Sequence, residues 1–163
     1  MTINDLPHTE DLFMLNVVLF QPSIPPNTGN VARQCIGMNA RLHLIEPMGF
    51  KISDKQIQRA GLDYWQHLNL TMHDSPEAFI TWLGDRTPWL VTKFGHTRYD
   101  KAAFKDEDVI IFGNENKGIP QGWHDLYPDQ CLTIPMNDNI RSYNLSNAVA
   151  LVVAQANVTA NLY

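Results

Sequence analysis

IPMNDNIRSYNLSNAVALVVAQA, residues Ile134 to Ala156, opens with a stretch crowded with small polar side chains and closes on an apolar run, Ala148 to Ala154. The pattern predicts a hydrogen-bonding loop that feeds directly into a buried helix. Ser142, Asn144, Ser146 and Asn147 are poor helix-interior residues but good caps and turn formers, because their short side chains bond nearby backbone groups. Alone, such a stretch is an ordinary capped helix. Two further segments of the same character give it company.

The first is PPNTGNVARQC, Pro25 to Cys35, directly after the apolar run Asn16 to Phe20. A strand, a turn and a helix start follow in order, with Asn27 or Thr28 placed to cap the helix. Arg33 lies among Val31, Ala32, Cys35 and Ile36, an apolar neighbourhood for a side chain that cannot be neutralised cheaply. It reads as a functional group or as a structural arginine paired with a carboxylate. The second segment is DVIIFGNENKGIP, Asp108 to Pro120. Val109 to Phe112 reads as a buried strand, and Gly113 to Gly118 as the loop at its C-terminal end, where open α/β sheets place their ligands. Glu115 puts a carboxylate in that loop. No Gly-Lys-Ser/Thr follows, so it is not a P-loop.

Strand signals fall at Asn16–Phe20, Arg41–Ile45, Leu68–Met72, Trp89–Thr92, Val109–Phe112 and Cys131–Ile134. Helical signals lie between them at Gly29–Met38, Ser53–Ala60, Ser75–Leu83, Gln121–Leu126 and Asn144–Ala160. This alternation predicts an α/β fold with a mostly parallel sheet flanked by helices. The domain is expected over 15–163, with 1–14 as a flexible N-terminal extension.

At 163 residues and 44% hydrophobic, the chain has material for one real core. No apolar run approaches the roughly 20 residues of a membrane span, and MTINDLPHTEDL lacks the pattern of a secretory signal, so a cytoplasmic location is expected. Cys35 and Cys131 are isolated in sequence and predict reduced thiols rather than zinc ligands; no metal is expected. The six histidines show no metal-ligand spacing and read as solvated or locally satisfied. A net charge of −5 argues against a broad grip on nucleic acid. Any RNA contact must be local, and Lys51, Lys55 and Arg59 would form one basic stripe if Ser53–Ala60 is helical.

In this order the three segments, N-x-G-N-x-x-R, F-G-x-E-x-x-G-I-P, and I-P-M with R-S-x-N-L-S-N-A-V-A, make a specific combination. It resembles the SPOUT superfamily of S-adenosylmethionine-dependent RNA methyltransferases. The likeness runs from about Leu15 to Ala156, includes RLHLIEPMGF and RAGLDY, and is nearest to the single-domain tRNA ribose 2′-O-methyltransferases of the TrmL/YibK type. The resemblance implies a deep C-terminal trefoil knot, a homodimer, and methyl transfer from S-adenosylmethionine, leaving S-adenosylhomocysteine. The implied substrate is the wobble cytidine or uridine of a tRNA, with leucine isoacceptors expected.

Residue by residue, the resemblance places Asn27, Arg33, Glu115, Ser142 and Asn144 in catalysis. It places Val91, Thr92, Gly95, Gly113, Glu115, Ile134, Met136, Ser142 and Leu145 around the cofactor. Arg141 joins Lys51, Lys55 and Arg59 as RNA contacts. Arg33 is the group implied near the 2′-hydroxyl; a guanidinium is a poor proton acceptor, so it orients rather than deprotonates. Two departures stand out: FGNENKG where close relatives have F-G-P-E-T-R-G, and Ala154 to Asn157 where they have Tyr-Glu-Ala-Trp. The second removes an aromatic from the dimer contact. The alternatives are a ribosomal or other-position RNA ribose methyltransferase and a non-catalytic cofactor- or RNA-binding module.

Overall fold

The computed structural model describes residues 14–53, 59 and 64–162. Among them are seven strands: β1 (Asn16–Phe20), β2 (Arg41–Ile45), β3 (Leu70–His73), β4 (Trp89–Val91), β5 (Thr97–Arg98), β6 (Val109–Phe112) and β7 (Cys131–Thr133). They form one sheet in the order β3-β2-β1-β6-β4-β7-β5, with every neighbouring pair parallel. Helices α1 (Pro25–Gly37), α2 (Pro76–Leu83), α3 (Gln121–Leu126) and α4 (Leu145–Thr159) cover it.

Why the central strands are continuous apolar runs is plain from the two cores. Side chains alternate across a strand, and both faces of this sheet are covered, so both registers are mainly apolar. Val17, Leu19, Leu42, Leu44, Ile110 and Phe112 pack with Val31, Ala32 and Cys35 of α1 and Val149, Val152, Val153 and Ala156 of α4. Val18, Phe20, Ile45, Val109 and Ile111 pack with Phe79 and Leu83 of α2 and Trp123 of α3. Thus α1 and α4 share one face while α2 and α3 share the other. Because all strands are parallel, the loops after β1, β4, β6 and β7 emerge along one edge.

Three strands have the predicted bounds. The pairing of β3 begins two residues late, at Leu70, because Trp65–His67 forms a one-turn helix before it. Strand β5 and the one-turn helices at Tyr99–Lys101 and Pro128–Gln130 were not expected; at two or three residues they carry no periodicity. Helix α1 starts at Pro25, four residues before Gly29. Prolines at its first two positions have no N–H to satisfy and φ preset for a helix. Asn27 and Thr28 are therefore not caps but buried first-turn residues. The Ser53–Ala60 segment, with Lys55, lies outside the described residues except for Ser53 and an exposed, helical Arg59. Of the 1–14 extension only Met14 is described; its carbonyl accepts from Arg41 Nη1 at 3.3 Å. No helix among the described residues is long and apolar enough to cross a membrane.

The histidine expectation needs correction at two positions. His43 and His73 are buried, and their partners are remote: His43 Nδ1 lies 3.0 Å from His73 Nε2, and His43 Nε2 lies 3.0 Å from Asn16 Oδ1. Asn16 in turn donates to the Glu107 carbonyl at 3.1 Å. Rings of Trp82 and Phe79 surround the pair. Both thiols are free and buried, and burial pushes the Cys35 thiol up to about 12.

Burial, followed by the neighbouring His73, pushes His43 down to about 3. The unfolded chain therefore holds a proton that the folded chain lacks between the usual value near 6.5 and about 3. His73 is shifted in the same direction, again by burial first. This contribution is fully present above pH 6.5 and is lost as pH falls. Urea unfolding from pH 7.5 to 5 should show stability declining, with His43 contributing a slope approaching about 1.4 kcal/mol per pH unit and His73 adding in the same direction. His43→Phe should flatten part of that slope; stability independent of pH in the wild type would contradict the buried neutral pair.

Candidate active site

The β1–α1 turn is tied to the loop after β6 by one carboxylate. Glu115 Oε2 accepts from Ser23 N–H at 2.9 Å and Ser23 Oγ at 3.0 Å, while Oε1 accepts from Ile24 N–H at 3.2 Å. These donors immediately precede helix α1, so the negative charge also sits at the positive end of the helix dipole. All three bonds cross more than ninety residues of sequence.

The loop that presents Glu115 is closed on itself. Asn114 and Gly118 exchange backbone hydrogen bonds of 3.2 and 2.9 Å, and Asn114 Oδ1 accepts from the amides of Asn116 and Lys117. Asn114 Nδ2 also donates 2.7 Å to the carbonyl of Gln21. A Cβ on Gly113 would stand 2.4 Å from the carbonyl carbon of Gly118, so only glycine fits where the loop doubles back. Gly118 has φ +67, the left-handed region. The substitution of Asn for Pro at 114 thus supplies side-chain bonds of its own. Sequence reading missed this, although an Asn two residues before an unpaired amide is an Asx-turn signal.

Helix α4 brings the third segment. Asn144 is its N-cap, with Oδ1 accepting from Ser146 N–H at 2.9 Å and from Ser146 Oγ at 2.6 Å. The same side chain donates Nδ2 to Asn27 Oδ1 at 3.0 Å, and Gln34 Nε2 donates to the Ser146 carbonyl at 2.9 Å. Tyr143 OH closes the preceding loop on the Pro135 carbonyl at 3.1 Å.

Between these segments lies an open cleft of ≈ 620 Å³. Val91, Thr92, Gly113, Glu115, Ser142 and Leu145, all expected around a cofactor, line it, and so do Asn27, Asn144 and Arg141. Gly95, Ile134 and Met136 do not. Gly95 is wedged against β7, where a Cβ would meet the Leu132 carbonyl carbon at 2.4 Å; Ile134 belongs to the core behind the cleft; Met136 is half-buried outside the lining. The wall also contains residues that sequence reading missed: Lys93, Phe94, Lys117 and His124. His124 Nε2 lies 2.9 Å from Thr92 Oγ1 and Nδ1 lies 3.1 Å from the Pro120 carbonyl. Since a carbonyl only accepts, Nδ1 donates to Pro120, and Nε2 shares a hydrogen bond with the Thr92 hydroxyl. Nothing in sequence links positions 92 and 124.

Arg33 is corrected on both counts. It is exposed rather than in an apolar setting, and it forms no ion pair among the described residues. Its guanidinium carbon lies 5.0 Å from the centroid of the Tyr64 ring, a cation–π contact that uses the last residue of RAGLDY. Neither Arg33 nor exposed Lys51 and Arg59 lines the cleft.

In size the cleft suits a nucleoside-bearing ligand, since ligand pockets span about 300–1,000 Å³. Its lining combines apolar Val91, Phe112, Ile119 and Leu145 with polar Asn114, Ser142 and Asn144, a mixture suited to a purine ring and its ribose. Among the described residues no group of His, Cys, Asp or Glu is arranged to hold a metal ion.

Comparison with known proteins places these features in context. A family model described as the SpoU rRNA Methylase family matches residues 14–154. The tRNA (cytidine(34)-2'-O)-methyltransferase of Escherichia coli (strain K12) is 43% identical over 144 residues, covering 88% of this chain and 92% of that protein. A solved structure described as giving insights into the 2-OH methylation of C/U34 on tRNA is 39% identical with a TM-score of 0.84, covering 90% of this chain and 96% of the other. The SpoU methyltransferase AviRb from Streptomyces viridochromogenes in complex with the cofactor AdoMet shares the fold, with a TM-score of 0.76 at 23% identity, covering 95% and 63% of the two chains.

Glu115 uses its oxygens on backbone and hydroxyl donors, so its substitution should register in stability. Glu115→Gln replaces an acceptor by an amide that faces N–H groups and should cost about 1–3 kcal/mol in urea unfolding. Unchanged stability would show that these bonds hold nothing in place.

Proposed function

The chain belongs to the SpoU methylase family, and from that membership together with the cleft geometry we propose that it is an S-adenosylmethionine-dependent ribose 2′-O-methyltransferase acting on the wobble cytidine or uridine of tRNA. The observation that carries the reading is the convergence of three distant segments on one cleft, through Glu115 to Ser23 and Ile24 and through Asn144 to Asn27. Relatives covered over most of their length supply the substrate class. Leucine isoacceptors, cytoplasmic location and the trefoil knot belong to the same reading. The placement of β4 between β6 and β7 and the tight seat of Gly95 on β7 support the knot.

When bound, the cofactor supplies an electrophilic methyl group. The chain must then hold a ribose 2′-hydroxyl in line and keep competing water away. Alignment of this kind is worth about 7–11 kcal/mol of barrier, and proton removal by a positioned base adds roughly 10²–10⁴-fold. Val91, Gly113, Ser142 and Leu145 hold the cofactor, with Ile134, Gly95 and Met136 acting from behind the wall. Glu115 and Asn144 position the loops, and Asn27 carries the Asn144 bond. Arg33 orients the hydroxyl and an adjacent phosphate through its planar, two-pronged fork. Lys51, Lys55, Arg59 and Arg141 contact the RNA backbone locally, in keeping with an acidic chain.

Since Arg33 lies outside the cleft of its own chain, the active site is completed across a homodimer, one protomer's Arg33 serving its partner's cleft. Exposed Ile24, at the cap just before α1, and exposed Leu151 and Val158 on α4 give apolar surface for the contact without the missing aromatic. Sedimentation should show a dimer at assay concentrations; an active monomer would contradict this arrangement.

Methyl transfer from labelled cofactor to unmodified tRNA tests the function. Arg33→Ala should lower the rate by about 10²-fold or more while cofactor affinity holds. Stability should stay within about 0.5 kcal/mol, as for an exposed site. Arg33→Lys should rescue poorly. Full activity in a stable Arg33→Ala protein would overturn the assignment, and no methylation of any tRNA by the wild type would favour a binding module.

A further inference from the structure

The turn after β4 presents an aromatic ring to solvent yet holds it firmly. Phe94 is 63% exposed and stands on the wall of the cleft. Its N–H donates to Thr92 Oγ1 at 3.3 Å, and the N–H of Gly95 donates to the Thr92 carbonyl at 3.4 Å. Gly95 is pressed on the β7 backbone, and Thr92 Oγ1 is bound to His124 at 2.9 Å. The Phe94 ring meets the His124 ring edge-on, with centroids 6.1 Å apart and planes at 73°. A fixed turn therefore leaves a large apolar face in water, where burial would ordinarily stabilise the fold.

Cations share the cleft with that face. Lys93 Nζ lies 5.4 Å from the Phe94 centroid, and Lys117 and Arg141 line the same cleft. None of the three forms an ion pair among the described residues, in a chain whose net charge is −5. A rigid aromatic platform with nearby cations is how proteins grip unpaired nucleic acid: bases stack on the ring while lysine and arginine meet phosphates. One ring is too small to hold a protein partner, which needs a far wider patch.

We infer that Phe94 is a stacking platform for an unpaired nucleobase of the RNA substrate, next to the nucleotide that is methylated, with Lys93, Lys117 and Arg141 meeting the flanking phosphates. The inference rests on the ribose methyltransferase reading and adds to it a subsite for a neighbouring base. Because stacking is indifferent to base edges, this subsite contributes affinity and placement rather than sequence choice.

Full-length wild type, Phe94→Ala and Phe94→Trp should be compared in tRNA methylation kinetics, in calorimetric titration with S-adenosylhomocysteine and in thermal melting. Phe94→Ala should raise KM for unmodified tRNA about tenfold, leave S-adenosylhomocysteine affinity within about twofold and leave melting unchanged; Phe94→Trp should restore KM. Wild-type kinetics in Phe94→Ala would overturn the inference alone. A loss of S-adenosylhomocysteine affinity with an unchanged KM for tRNA would also overturn it, assigning the ring to the cofactor's adenine. Wild-type protein that neither binds S-adenosylhomocysteine nor methylates tRNA would overturn the methyltransferase reading, and this inference with it.

Discussion

Two side-chain bridges, Glu115 to the amides of Ser23 and Ile24 and Asn144 to Asn27, fix the entrance of helix α1 from both sides. Prolines at the first two helical positions set where the helix starts and leave few donors there, so the turn just before it is held chiefly by what reaches it from elsewhere. A carboxylate from the β6 loop and an amide from the α4 cap do so. Each bridge spans about the length of a small domain in sequence, so the cleft exists only when the sheet has assembled.

The sheet supplies the rigid base for those bridges. Alternating residues of β1 and β6 enter two separate cores, which lock the strand ends that carry the loops. Helix α4 is anchored by Val149, Val152, Val153 and Ala156, and its cap lies at the cleft, so core burial is converted into placement of Asn144 and Ser142. On the opposite face α3 holds His124, which pins Thr92 at the end of β4. Each wall of the cleft is thus supported by a helix packed on one or other side of the sheet.

Much of this was legible in the sequence because the central strands are buried on both faces. Such strands are mostly apolar, and Asn16–Phe20, Arg41–Ile45 and Val109–Phe112 are followed by Gln21, Glu46 and Gly113, which mark their C-terminal ends. The Asn144 cap was readable from the polar-to-apolar switch that follows it. What was not legible depends on partners distant in sequence. The burial of His43 depended on Asn16 and His73, and the place of His124 on Thr92; the start of α1 at its own two prolines was a local signal passed over. Arg33 shows the converse hazard: apolar sequence neighbours occupy other faces of a helix and say nothing about its own surroundings.

Hydrogen exchange in the ligand-free protein tests most directly whether the cleft is assembled by these bridges before anything binds. The amides of Ser23, Ile24 and Ser146, each donating to Glu115 or Asn144, should be protected to an extent approaching that of the β1 core amides. Exchange of these three at the rate of an unstructured loop, with protection appearing only on addition of S-adenosylhomocysteine, would contradict a preassembled site.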